Sequence, residues 1–233
     1  MLLITPDMKL ADVVNVNYLL IPVINRFDIP LGFGDKSVEQ VCCERGVNVE
    51  FFTTIINVFN HESYFPQERM LSFDALELVR YLRRTHEYYR NTLLPQLERH
   101  FDRLMASVSG DSKETLLIKK FFADYKNELL AHLRREDTIT FPYVEAIYRR
   151  QRTEEVAASY SMKKFEAEHS NLDEKLYDLK SILIKYAQSE YDGYLRNTVI
   201  FDLFRLEKDL KDHNRIEDDI LTPIVEKMER AHV

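Results

Sequence analysis

The chain has 233 residues, 45% of them apolar and 30% charged, with a formal net charge of −7. That is enough apolar chain for a sizeable core, in one large domain or a small one plus a medium one. The negative balance excludes the broad basic field of a nucleic-acid binder.

Five Gly and seven Pro in this length favour long helices with few tight turns. Cys42 and Cys43 are sequence neighbours; such a pair bridges only with strain, so no disulfide framework is expected. Residues 1–12 lack the basic start and apolar core of a signal peptide, being interrupted by Pro6, Asp7 and Asp12. The longest uncharged apolar-rich run, Val13 to Asn25, contains Pro22 and is too short to span a bilayer. A cytoplasmic protein with no membrane partner is the expectation.

Residues 1–62 read as a small helical N-terminal domain. Lys9 to Phe27 carries a helical apolar pattern, bent near Pro22, followed by the turn cluster Pro30, Gly32 and Gly34. Ser37 is placed to cap a short helix that Gly46 ends, and Asn48 to cap another through Phe59. The polar stretch Asn60 to Glu68 reads as a linker. From residue 71 to 233 the texture changes to four long helical patterns, at about 73–108, 112–150, 154–189 and 194–230. Gly110 and Gly193 separate the members of each pair. The fold expected is all-α: the small domain followed by an antiparallel four-helix bundle. Pro95, Pro142 and Pro223 fall inside these patterns and should bend their helices.

The bundle is duplicated. His132 to Glu145 and His213 to Glu226 align without a gap, with eight of fourteen positions identical. Just upstream, Leu129 pairs with Leu210 and Glu128 with Asp209. Each copy carries His-x-x-x-Glu, His132 with Glu136 and His213 with Glu217, a spacing that stacks both side chains on one helix face. His86 and His169 sit on apolar stripes of the first and third patterns, 46 and 44 residues before the motif histidines. A lone histidine on such a face is usually a satisfied core residue. Four histidines and two glutamates in duplicate are different, because six buried ionisable groups would be costly without a metal. His100 lies fourteen residues past His86, about 21 Å along a helix, too far to share a centre.

Two facing turns of this kind suggest two ions, each holding two histidines, with both glutamates able to bridge. Imidazole and carboxylate with open positions suit iron, and manganese less well. Glu128 and Asp209 lie one turn before the motif histidines; they either orient imidazoles or line a path for iron, or are plain surface acids. Glu168 is the other acid near the proposed ligands.

At these residues the sequence resembles the hemerythrin-like (HHE) di-iron family. The carriers of the resemblance are His86, His132-x-x-x-Glu136, His169 and His213-x-x-x-Glu217, with Ile-x-x-Pro after each glutamate. The four-His, two-Glu set and the small leading helical domain resemble the subfamily of iron–sulfur cluster repair proteins. The resemblance implies a non-haem centre of two iron ions, oxo- or hydroxo-bridged. It implies repair of iron–sulfur clusters damaged by nitric oxide or oxidants, with damaged cluster proteins or a cluster scaffold as partners, and links to stress response and cell morphogenesis. The family's Cys-Cys turn is absent: Gly32 and Phe33 stand in its place in Ile29-Pro-Leu-Gly32-Phe33-Gly34, and Cys42 and Cys43 come ten residues later. These two are expected to be buried structural cysteines.

Three functions remain open at this point: an iron donor for repair, a sensor or carrier of oxygen or nitric oxide, and a reductase of nitric oxide or peroxide. Few acid–base groups stand near the ligands, which weighs against an enzyme. The chain is expected to act as a monomer or homodimer.

Overall fold

The computed structural model describes residues 3–108, 112–149, 162–186 and 191–230, with only the backbone of 162–170. Its helices are α1 (Leu10–Val16), α2 (Ile21–Asn25), α3 (Val38–Arg45), α4 (Val49–Asn60), α5 (Gln67–Met70), α6 (Ala75–Tyr88), α7 (Leu94–Ala106), α8 (Lys113–Arg135), α9 (Phe141–Tyr148), α10 (Met162–Lys185), α11 (Gly193–Ile216) and α12 (Thr222–Arg230). Among the described residues there is no strand, only an isolated bridge between Lys9 and Ser37. The protein is all-α. No described helix is long and apolar enough to cross a membrane.

Two compact units make up the chain: Met1–Tyr88 with Arg215–Val233, and Tyr89–Asn214. In the first, local chemistry sets the helix ends. Ser37 and Gln40 form a reciprocal capping box at the start of α3, and Gly46 ends it in the left-handed region at φ 65°. Asn48 accepts the backbone N–H groups of Glu50 and Phe51 at the start of α4. The Lys9–Phe27 pattern is not one bent helix. Asn17 is extended and its side chain accepts the Leu19 N–H, which starts a separate 3₁₀ turn, Tyr18–Leu20. Pro22 then falls in the first turn of α2, where its missing N–H has no cost.

Aromatic packing joins these helices to α6. The Phe27 ring lies 4.9 Å from Phe52 and 5.1 Å from Tyr81, and Phe51 meets Tyr81 edge-on at 6.1 Å. The buried Arg26 donates to the Tyr81 hydroxyl at 3.3 Å and places its guanidinium 4.9 Å from the Tyr88 ring. Cys42 is buried but Cys43 is exposed, which corrects the expectation of two buried cysteines. Successive helical positions diverge by about 100°, so neighbours cannot share one buried face. Gly32, in the turn that follows Ile29, has φ 104°, a conformation that any side chain would strain.

In the second unit, Phe101 of α7 stacks on Phe122 of α8 at 4.0 Å. Leu129, Leu133, Leu176, Leu179, Leu183, Leu203 and Leu206 are buried alongside. Ion pairs tie Lys126 to Glu98 and Lys175 to Glu128. Gly193 does not sit between helices as the sequence suggests. It is the first residue of α11, and Asp192 accepts the Leu195 N–H there. Gly110 lies outside the described residues.

Among the described residues, three long helices are interrupted by one π turn each: Tyr89–Leu93, Glu136–Thr140 and Glu217–Leu221. In the latter two, Phe141 and Thr222 donate their N–H five residues back, to the carbonyls of Glu136 and Glu217. The cause is written in the sequence. A proline follows two residues after each turn, at Pro95, Pro142 and Pro223. Proline cannot donate four residues back and its ring collides with that carbonyl, and one extra residue in the turn relieves the clash. The described part of α10 has no proline and stays a regular helix.

Candidate metal centre

Glu136 and Glu217 are the first residues of their π turns, and His132 and His213 precede them by one helical turn. His86 lies in the last turn of α6. One donor atom from each of His86, Glu136, His213 and Glu217 lies within 4.8 Å of all the others, and all four residues are buried. His132 is buried too, with Nε2 3.1 Å from Oε1 of Glu136.

The donor chemistry fits a metal. Atoms bound to one ion by bonds of about 2.1 Å lie within about 4.2 Å of one another, so a spread of up to 4.8 Å is close to, and slightly wider than, one closed coordination sphere. Two imidazoles and two carboxylates form a mixed nitrogen and oxygen set of the kind a first-row metal takes. Burial matters as much as spacing. Two carboxylates at 1% exposure or less face a heavy desolvation cost, and an ion in the cluster offsets it.

The remaining sequence candidates are distributed as follows. His169 and Glu168 lie on α10, but their side chains are outside the described residues. Glu128 pairs with Lys175 and is 44% exposed. Asp209 accepts a hydrogen bond from the Tyr89 hydroxyl at 2.6 Å, and the Tyr89 ring meets His213 edge-on at 5.7 Å. Tyr89 was not recognised from sequence; it is fully buried in the first π turn, and only the fold brings it to a residue 120 positions away. Beside His213, burial raises the Asp212 carboxyl above the usual range, with Lys208 working against the shift. His100, set aside on distance, holds Asp202 through Nδ1 at 2.6 Å.

The hemerythrin HHE cation-binding domain family matches residues 77–225, a span that takes in His86, both His-x-x-x-Glu turns and all three π turns. No curated protein sequence matches the chain.

Proposed function

Since the chain belongs to the hemerythrin HHE cation-binding family, we propose that His86, His132, Glu136, His213 and Glu217, together with His169, hold two iron ions, and that the protein donates iron to iron–sulfur clusters damaged by nitrosative or oxidative stress. The observation that carries the metal reading is the buried cluster of two imidazoles and two carboxylates within 4.8 Å. When bound, such a centre supplies redox-active Lewis-acid sites that can take a small diatomic ligand or give up a metal ion. The residues of the chain do the rest. Duplicated turns deliver matched histidine and glutamate pairs, burial excludes bulk water, and Tyr89, held by Asp209, braces the His213 ring. The order of a small helical N-terminal region before the bundle supports the repair reading, because it resembles the repair subfamily.

The test is metal content and visible spectrum of protein purified without added metal. About two irons per chain, with an oxo-bridge band when oxidised, are expected. One tightly held zinc and no colour overturn the di-iron reading. Transfer is tested by mixing the iron-loaded protein with a nitric-oxide-damaged cluster protein and following recovery of its cluster absorbance. No recovery, with nitric oxide bound or reduced at the iron instead, favours a sensor or reductase.

A further inference from the structure

In a regular helix the N–H of residue 223 would bond to the carbonyl of residue 219. Pro223 has no N–H to give, so the Asp219 carbonyl lacks the four-back donor of a regular helix. Gln67 supplies a donor: its side-chain Nε2 donates to the Asp219 carbonyl at 3.2 Å. Gln67 opens α5, which packs against the π turn Glu217–Leu221. The same stretch of chain reaches the other side of that turn. The Arg215 guanidinium lies 3.7 Å from the Phe65 ring centroid, and its Nη1 donates to the Glu62 carbonyl at 3.4 Å. Residues 62–70 therefore touch positions two before and two after Glu217, whose carboxylate is fully buried in the metal cluster.

We propose that residues 62–70 form a strap over the Glu217 turn, with Gln67 and Phe65 as positioning residues, and that the strap sets how firmly this chain retains its metal. A π turn has one carbonyl too many for its own donors, so it is the point of the helix that yields most readily. Holding that carbonyl from outside fixes the turn and with it the aim of Glu217. Releasing it lets the turn relax and Glu217 withdraw, a route to metal release that leaves the helix cores intact. The strap joins α4 to α6, so a partner that displaces the N-terminal helices would pull on it directly.

The inference rests on Glu217 being a metal ligand, and the experiment separates the two. Gln67 is exposed, so Gln67→Ala leaves folding intact. Two quantities are measured in the full-length protein: amide exchange of residues 217–222 without metal, and the rate at which a ferrous chelator strips the iron-loaded form. Gln67→Ala should speed both by about fivefold, the scale of one modest hydrogen bond, with the melting temperature nearly unchanged. Gln67→Lys, which keeps a donor, should restore both. Phe65→Ala should act in the same direction by freeing Arg215. If Glu217→Gln loses iron but Gln67→Ala changes neither quantity, the strap is overturned and the metal site stands. If Glu217→Gln retains iron as the native chain does, the assignment of Glu217 as a ligand is overturned, and the strap's link to metal with it.

Discussion

The Tyr89 hydroxyl donates to the Asp209 carboxylate at 2.6 Å while its ring meets the His213 imidazole in a T-shaped contact. The contact fixes a metal-ligand candidate from the side, through a tyrosine that is itself anchored by a short, charge-assisted hydrogen bond. Losing a group that hydrogen-bonds a ligand ring typically costs about 10–100-fold in metal affinity, and a ring contact such as this one belongs at the low end of that range. Tyr89→Phe keeps the ring and removes the hydroxyl. It should lower iron affinity by about tenfold in chelator competition without changing stoichiometry. Asp209→Asn should do the same, and the double variant should add little. Additive losses would show that the two residues act separately.

The proposal that the glutamates bridge two ions has a direct test. Glu136→Gln removes a charge and half the oxygen donors, and an amide nitrogen is a poor ligand. If Glu136 spans both ions, iron content should fall well below two per chain and the oxo-bridge band should vanish. His86→Ala removes one terminal ligand, a gap that water can fill, and should be milder. The reverse order of severity would refute bridging by Glu136.

Helical periodicity and the duplication made the all-α bundle and the His-x-x-x-Glu turns legible in the sequence, because stacking at i and i+4 depends only on helix geometry. The π turns were less legible. A reading that assumes one uniform helical period passes over them, although the prolines six residues after Glu136 and Glu217 carried the signal. The Tyr89–Asp209 and Gln67–Asp219 contacts join residues more than a hundred positions apart, and no local pattern encodes such a pairing. Cys43 was misread for a simpler reason: adjacent helical residues point in different directions, and α3 has one buried face.

The two cysteines should differ sharply in reactivity. Burial first, and the neighbouring Cys43 second, push the Cys42 thiol up to about 12, so it stays protonated and unreactive at neutral pH. One thiol per chain should react with an aromatic disulfide reagent in the native protein, and two after denaturation. Rapid reaction of both in the native state would mean that α3 opens readily.

The sequence alone leads one to expect that residues from about 70 onward fold and bind iron without residues 1–62. The packing around Tyr81 argues for a cost. Removing residues 1–62 takes away Phe27, Phe51 and Phe59, all within 6.5 Å of that ring, and the Arg26 guanidinium over Tyr88. At about 0.5–1.5 kcal/mol per aromatic pair, the three pairs amount to at least about 1.5 kcal/mol, or roughly 3–6 °C for a chain of this size. A truncated chain that melts as high as the full one would show that the aromatic cluster contributes nothing to α6.

Tyr125 supplies a pH-dependent test of the core. Its side chain is buried and its hydroxyl has no hydrogen-bond partner among the described residues. Burial first, then the charges of Asp173 and Glu207, hold the phenol well above its usual range. The sign follows from linkage. A folded-state value above the unfolded value of about 10 means that the folded protein keeps the proton while the unfolded chain releases it. The stability associated with the protonated group is therefore complete below about pH 10 and declines as the pH rises further. Tyr125→Phe removes the unpaired hydroxyl and the titration together. It should stabilise the protein by about 1 kcal/mol at pH 7, and its advantage over the native chain should widen above about pH 10. Urea unfolding at pH 7 and at about pH 10.5 measures both effects. A variant that is less stable at pH 7 would mean that the hydroxyl does have a partner, and that the interior around α8 is held together by a polar contact there.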